Sequence, residues 1–260
     1  MPSPPADAVE IACQGERLVL HPERAVHWPA RRTLLVADVH LGKEDAFGRR
    51  GVAIPRGPSE GDLERLAALV AATGAERLCV LGDFMHAVPR ADEPWLAALA
   101  AFLDGHASLA VEVVAGNHDR AAGRPLVDGR VRWIDGSVRE GPFVLRHEPG
   151  EDARGYVLAG HVHPACRIGG GRRGESLRAP VFWFRERGAV LPAFGAFTGG
   201  ETVRPARGER VYLAAHGCVV PLSAAPRRTL ADGAHSPPPA PPRRSPRGVS
   251  ARVPSARRRR

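Results

Sequence analysis

The sequence is poor in several residue types, and each shortage excludes a class of protein. Lysine occurs once, as Lys43, among 37 basic residues. No apolar run approaches the ~18 residues of a membrane span, and the N-terminal residues lack the charged and apolar regions of a signal peptide, so a cytoplasmic protein without membrane association is expected. The four cysteines are far apart and form no Cys-x-x-Cys pair, which excludes a zinc ribbon and argues against a disulfide framework.

The net charge of +9 lies in one segment of the chain. Residues 226–260 hold ten arginines and one aspartate, which already amounts to +9, so residues 1–225 are neutral overall. This segment is rich in proline and has few large apolar side chains, so it cannot bury enough surface to offset the entropy of ordering. We expect a folded domain at 1–225 and a disordered basic tail at 226–260. The tail either only solubilises the protein or binds phosphate backbones.

The apolar pattern predicts an α/β fold. In the first half, short buried strands alternate with helices at helical spacing, which favours a largely parallel sheet. The second half changes to strands with few helices between them. The predicted architecture is a two-sheet αββα sandwich. Its predicted elements are a hairpin at 10–20, strands at 33–37, 78–81, 111–114, 131–134, 138–146, 156–159, 181–184 and 210–214, helices at 59–74 and 93–104, a helix N-cap at Ser59, and a long loop at 43–58.

Polar residues follow five of these predicted strands. Asp38 and His40 are two residues apart, so both side chains can point from a strand end into one pocket and reach the same metal ion. Alone this pattern is weak, but it recurs after the later strands, and five such loops are not expected by chance. The candidate ligands are Asp38, His40, Asp83, Asn117, His147, His161 and His163.

The residue types suit two divalent ions, which lie ~3.5–4 Å apart in such centres and need a bridging ligand. A carboxylate can bridge, and Asp83 is the candidate. Asp38, His40 and His163 could complete one shell, and Asn117, His147 and His161 the other. Mixed imidazole and carboxylate ligands suit Mn²⁺, Fe or Zn²⁺ better than Mg²⁺ or Ca²⁺. A water shared by both ions would lose a proton near neutral pH and attack phosphorus in line.

Other polar residues near these loops are candidates for catalysis and substrate binding. His118 adjoins a ligand without being needed as one, so it could donate a proton to the leaving oxygen or bind a phosphoryl oxygen. Asp119 could hold the His118 imidazole in place. Lys43, Arg49, Arg50 and Arg120 could contact phosphate, or they could be charges on solvated loops. His86 is a candidate for contact with a metal ligand or with the substrate.

The motifs Asp-x-His, Gly-Asp, Gly-Asn-His-Asp, His and Gly-His-x-His, in this order, resemble those of the calcineurin-like metallophosphoesterase superfamily over residues 33–165. Asp38 to Gly51 and the segment from Leu191 to Gly200 resemble the bacterial ligase-associated DNA damage response endonuclease group (PdeM). The resemblance implies an αββα sandwich, the ligand set given above, and a Mn²⁺-dependent phosphodiesterase that acts on DNA together with a DNA ligase and a helicase.

Two alternatives stay open from the residues. The substrate could be a small nucleotide or a phosphoprotein, because residues 1–225 carry no net positive charge, which favours a small substrate or a DNA end held at the metals. The second alternative is a non-catalytic protein-binding scaffold on the same fold, although decay of a site removes ligands and every ligand is present here.

Overall fold

A computed structural model describes residues 7–55, 57–124, 129–169, 176–215 and 217–222. These fall within one compact unit, Met1–Ala224. The predicted disordered tail at 226–260 lies outside the described residues, so the boundary after residue 225 stays a prediction. Within the described ranges, no helix is long and apolar enough to cross a membrane.

The first sheet follows the order of the chain. Its described part has seven strands; β1 to β4 are antiparallel neighbours and β4 to β7 are parallel. The predicted opening hairpin is confirmed. The strands are β1 (Val9–Cys13), β2 (Glu16–Leu20), β3 (Val26–Trp28), β4 (Thr33–Val36), β5 (Arg77–Val80), β6 (Ala110–Val114) and β7 (Val131–Ile134).

The second sheet is mixed, with β9, β10 and β13 parallel to one another. The single strand expected over 138–146 is wrong, because the chain turns back at Gly141, which has a φ of +55°, and Pro142 follows. The nine strands of its described part are β8 (Ser137–Glu140), β9 (Phe143–Arg146), β10 (Tyr156–Ala159), β11 (Pro164–Gly169), β12 (Ser176–Phe184), β13 (Gly188–Val190), β14 (Glu201–Thr202), β15 (Arg210–Ala215) and β16 (Cys218–Leu222).

The described residues form one short 3-10 helix, Pro29–Arg31, and four α-helices: α1 (Lys43–Gly48), α2 (Pro58–Thr73), α3 (Pro94–Gly105) and α4 (Asn117–Ala122). The predicted helices at 59–74 and 93–104 are confirmed as α2 and α3. The loop expected over 43–58 is wrong in its first part, which forms α1. Ser59 is not the N-cap of α2, because Gly57 takes that position. The Ser59 hydroxyl instead donates to the buried carboxylate of Glu44 in α1 at 2.9 Å.

Alternating side chains of the first sheet fill two separate cores. Leu34 and Val36 of β4 pack with residues of α2 and α3, whereas Leu35 and Ala37 pack between the two sheets. Successive side chains of a strand point to opposite faces of the sheet, so this pattern is the one expected of a strand buried on both faces. Phe182 from the second sheet lies in the same inter-sheet core. The predicted two-sheet α/β sandwich is therefore confirmed.

Candidate metal centre

The predicted ligands lie just beyond the carboxyl ends of β4, β5, β6, β9 and β10, the usual location of a site in a parallel sheet. The backbone there is unusual. Nine non-glycine residues of the described ranges have a positive φ, and five of them are predicted ligands: Asp38, His40, Asp83, His161 and His163, with φ between 49° and 70°. Such residues are uncommon, and backbone strain of this kind clusters at functional sites. Because of these turns, the side chains point to one location instead of alternating between the two faces of the sheet, as they would in a continuing strand.

Three glycines allow the polar side chains to approach closely. A Cβ atom on Gly82 would lie 2.1 Å from Nδ1 of His147, and one on Gly160 would lie 2.6 Å from a carboxylate oxygen of Asp38. A Cβ atom on Gly116 would lie 2.2 Å from Oδ1 of Asp83. A side chain at any of these three positions would overlap an atom of a predicted ligand, so the site requires glycine there.

Replacing Gly116 by alanine should reduce metal binding. The backbone of Gly116, with φ −82°, accepts alanine, so the only effect is the displacement of Asp83, whose amide nitrogen would also lie 2.4 Å from the new methyl group. Overpacking of this kind costs about 1–3 kcal/mol of unfolding free energy. The measurements are metal content by elemental analysis and urea denaturation. Gly61→Ala in α2 is the matched control, because its Cβ meets no atom within 4 Å. A Gly116→Ala protein with unchanged metal content would contradict the close approach.

One group of donors surrounds His147. Its Nδ1 lies 3.0 Å from the carbonyl oxygen of Leu81, which can only accept, so Nδ1 carries the proton and Nε2 presents a lone pair. That Nε2 lies 3.0 Å from Oδ1 of Asn117, 3.0 Å from Nδ1 of His161 and 3.5 Å from Oδ2 of Asp83. The lone pair on Nε2 of His147 and the oxygens of Asn117 and Asp83 repel one another unless a cation lies between them. Nδ1 of His161 adds a further lone pair when its ring is protonated at Nε2. The donor set therefore fits a metal ion.

A second group combines Asp38, His40 and His163, whose donor atoms lie within 4.8 Å of one another. Nδ1 of His163 donates to the carbonyl oxygen of Gly199 at 3.2 Å, so its Nε2 faces the site. That Nε2 is 3.3 Å from Nε2 of His40 and 3.5 Å from Oδ1 of Asp38. A histidine that donates its second N–H to a carbonyl is typical of metal ligands.

Asp83 lies between the two groups. Its Oδ2 is 3.5 Å from Nε2 of His147 in one group and 4.0 Å from Nε2 of His40 in the other. Its Oδ1 accepts the backbone N–H of His118 at 2.9 Å, which fixes the carboxylate plane. This is the position that a bridging carboxylate needs, and the sequence predicts Asp83 for that role.

Burial controls the charge of these groups. Burial raises the pKa of Asp38, and His163 opposes the rise by hydrogen bonding and attraction. Burial lowers the pKa of His40, and the nearby Lys43 and histidines lower it further. His40 is therefore neutral at physiological pH, as a metal ligand must be. A divalent cation beside Asp38 would favour its carboxylate form.

The His118 ring is held by a residue other than the one expected. Its Nδ1 donates to the backbone carbonyl of His86 at 2.7 Å, which leaves Nε2 toward the site, and its ring stacks on that of His86 with centroids 4.5 Å apart. Asp119, expected to hold the imidazole, instead accepts from the N–H groups of Met85 and Gly116, both at 2.9 Å. One oxygen is engaged at the start of α4 and the other in the loop after β5, so Asp119 joins these two segments and does not hold the ring.

His86 contacts a predicted ligand, which is one of the two roles that the sequence left open for it. Its Nδ1 lies 3.3 Å from Nδ1 of His40, and its ring stacks on that of His118, so it links the two. Burial, together with His118 and nearby cations, lowers the pKa of His86 to about 4, so it is neutral at pH 7. The sequence places His86 three residues after Asp83, but no sequence signal separates a linking histidine from a substrate contact.

The predicted phosphate contacts lie around the centre with different partners. Lys43 is half-buried, and burial lowers its pKa while Asp38 and Asp83 oppose that change by attraction. Arg49 forms an ion pair with Glu93. Arg120 lies 3.7 Å from Glu148 and donates to the carbonyl of Ala115 at 2.7 Å. Arg50 is exposed. Of the four predicted phosphate contacts, Lys43 is thus the one that interacts electrostatically with two predicted ligands, Asp38 and Asp83.

The segment from Leu191 to Gly200, which the sequence did not assign to the site, forms hydrogen bonds to the backbone around Asp38. Phe194 N–H donates to the carbonyl of Ala37 at 2.7 Å and Gly195 N–H donates to that of Asp38 at 3.1 Å. Arg24 donates to the carbonyl of Ala193 at 3.1 Å, and Asp62 accepts from Ala196 N–H at 3.0 Å. The motif from Leu191 to Gly200 therefore fixes the backbone from which Asp38 projects.

Comparison with solved structures identifies the family. The nuclease MPE of Pseudomonas putida is 41% identical, with a TM-score of 0.73, and the match covers 83% of this chain and 100% of that one. YfcE, a phosphoesterase from E. coli, is 17% identical with a TM-score of 0.39, and the match covers 70% of this chain and 86% of that one. No family model and no curated protein matches the sequence. At 41% identity over the whole length of the Pseudomonas protein, the chain belongs to the same family, within the calcineurin-like metallophosphoesterases, and is an enzyme of the metallophosphoesterase class.

Proposed function

We propose that the chain is a dinuclear metal-dependent phosphodiesterase that cleaves DNA as an endonuclease. The observation that carries this proposal is the convergence of lone pairs on two points, with Asp83 between them. Oδ2 of Asp83 lies 3.5 Å from Nε2 of His147 and 4.0 Å from Nε2 of His40. Two adjacent cation positions with one carboxylate between them suit phosphate-ester hydrolysis better than a structural role, for which one closed shell is enough.

Asp38, His40 and His163 would hold one ion, and Asn117, His147 and His161 the other, with Asp83 shared. When bound, the ions supply a nucleophile from water and stabilise the charge that develops on the phosphoryl oxygens. Mn²⁺ is the proposed metal, with Fe or Zn²⁺ as the other ions that this mixture of imidazole and carboxylate ligands suits.

The chain's own residues contribute proton transfer and orientation. His118 presents Nε2 while its Nδ1 proton is held by the carbonyl of His86, so a protonated His118 can give the Nε2 proton to the leaving oxygen. The stack on His86 and the edge contact with His40, with centroids 5.1 Å apart, restrict the ring to this orientation. Lys43 provides a cation for a non-bridging phosphate oxygen.

DNA as the substrate is supported by the identity with a protein named a nuclease. Participation in DNA repair beside a ligase and a helicase, and a cytoplasmic location, are supported by the sequence resemblance and the composition alone. The small-substrate alternative keeps one supporting observation, which is that residues 1–225 carry no net positive charge.

Hydrolysis assays decide among these functions. We expect turnover of bis-p-nitrophenyl phosphate with Mn²⁺, slower turnover of p-nitrophenyl phosphate, none with chelator, and cleavage within labelled DNA circles that have no ends. Preference for the monoester would overturn the diesterase assignment. Diester turnover without circle cleavage would favour the small-substrate alternative, and no turnover with any metal would favour a scaffold.

A further inference from the structure

Two half-buried phenylalanines form one wall of a cavity beside the metal centre. Phe47 lies in α1 and Phe197 lies in the segment that supports Asp38, and their ring centroids are 5.9 Å apart at an interplanar angle of 84°. Together with Lys43, Ala196, Thr198 and Gly199 they line a cavity of about 280 Å³, here called the aromatic cavity. Large apolar rings that stay partly exposed beside a polar site are more often used for recognition than for packing.

The aromatic cavity adjoins the donor groups on two sides. On one side the Phe47 ring contacts that of His86 at 5.9 Å between centroids, and His86 stacks on His118. On the other side Gly199 accepts the Nδ1 proton of His163 through its carbonyl oxygen. A group in this cavity is therefore separated from a proposed ligand, His163, by one residue, and from the proposed proton donor, His118, by Phe47 and His86.

The chemistry of the lining fits a flat aromatic group attached to an anion. Nζ of Lys43 lies 5.9 Å from the centroid of Phe197, so a cation and an aromatic ring lie together there. Among the described residues that line this cavity, none is a carboxylate and Lys43 is the one charged side chain. A larger cavity of about 410 Å³, also beside α1, is lined by four carboxylates and two arginines: Glu44, Asp45, Asp92, Glu93, Arg49 and Arg90. The balance of charge therefore favours an anion in the aromatic cavity over the larger one.

We propose that the aromatic cavity binds a nucleobase next to the scissile phosphodiester, stacked on the Phe197 ring with the nearly perpendicular Phe47 ring beside it, and with Lys43 on the phosphate of that nucleotide. Every base has a π face, so stacking of this kind tolerates sequence while it fixes position. The inference rests on the proposed phosphodiesterase function and adds the group that holds the nucleotide beside the metals.

The test compares two substrates that differ only in their bases. One is a short fluorescein-labelled oligothymidylate, and the other has the same sugar-phosphate backbone without bases. Their Kd is measured by fluorescence anisotropy in chelator and their kcat/KM with Mn²⁺. We expect the wild type to prefer the base-bearing oligonucleotide about 10-fold, the order that one base–aromatic stack contributes.

Phe197→Leu keeps apolar volume and removes the ring face, so the preference should shrink toward equality, whereas Phe197→Trp should keep it. Val88→Ala, at an exposed residue outside the aromatic cavity, is the matched control with an unchanged ratio. Because the readout is a ratio within each protein, a general loss of activity does not affect it.

The outcomes separate this inference from the proposed function. Metal-dependent diester hydrolysis without a preference for bases, or a Phe197→Leu variant that keeps the full preference, overturns the nucleobase site and leaves the phosphodiesterase intact. Absence of hydrolysis overturns the phosphodiesterase, and the Kd ratio in chelator then still decides whether the cavity binds bases. If neither oligonucleotide binds, the inference is overturned too.

Discussion

Replacing Asp83 by alanine is expected to abolish binding of both metal ions and nearly all diester hydrolysis. Its carboxylate lies between the two groups of donors, 3.5 Å from His147 and 4.0 Å from His40, so no other residue of the proposed set serves both ions. The loss should therefore be of two ions per chain rather than one. Elemental analysis of the purified protein measures it directly, together with turnover of bis-p-nitrophenyl phosphate.

The fold of the Asp83 variant is checked separately, because Oδ1 also accepts the N–H of His118. Asp83→Asn keeps this acceptor and the side-chain shape while it removes the charge, and its circular dichroism should match the wild type. Asp104→Ala, at an exposed aspartate in the last turn of α3 that pairs with Arg130, is the matched control for loss of one carboxylate. An Asp83→Ala protein that still holds two Mn²⁺ ions would refute the bridging role.

The second large effect is expected for His118→Ala, which should lower turnover on a diester with a poor leaving group by about 10²–10⁴-fold, the usual contribution of general acid catalysis. Metal content should not change, because the contact of His118 with Asp83 is made by its backbone N–H, which alanine retains. The loss should be smaller on a p-nitrophenyl ester, because this leaving group needs little protonation. Steady-state kinetics on the two substrates provide the comparison.

Two further variants control the interpretation of His118→Ala. His118→Asn can still donate to the carbonyl of His86, so it preserves the local packing without supplying an acid. His106→Ala removes a histidine at the end of α3, where Nδ1 contacts the carbonyl of Phe102, and it should leave turnover unchanged. Loss of metal from His118→Ala, or wild-type turnover on the poor leaving group, would show that His118 has a different role.

Much of the fold follows from apolar periodicity. The strand from Thr33 to Val36 and the helix over Pro58–Thr73 lie where buried runs and helical spacing predict them. The misplaced features are those decided by contacts over longer distances. Ser59 is a good N-cap by composition, but it bonds to Glu44, fifteen residues earlier, and that bond holds α1 against α2. Residue preference alone contains no information about such a partner.

The candidate site, like the fold, could be predicted from the sequence only in part. The order of the Asp, Asn and His motifs along the chain suffices to predict which side chains come together, because the carboxyl ends of parallel strands meet. The orientation of each side chain was not predictable. It depends on left-handed backbone at residues such as Asp38 and His161, and on carbonyl groups of Leu81, His86 and Gly199 that fix the imidazole tautomers. Backbone carbonyls occur at every residue, so the sequence does not mark the ones that matter.

The division of the donors between the two sheets has a consequence for the newly made protein. Asp38, His40, Asp83 and Asn117 follow strands of the first sheet, whereas His147, His161 and His163 follow strands of the second. During synthesis on the ribosome the first four residues emerge well before the other three. A chain released early, or cut between β7 and β9, would carry an incomplete set for either ion. A complete set of donors would then arise only in molecules whose two sheets have both been made and packed together.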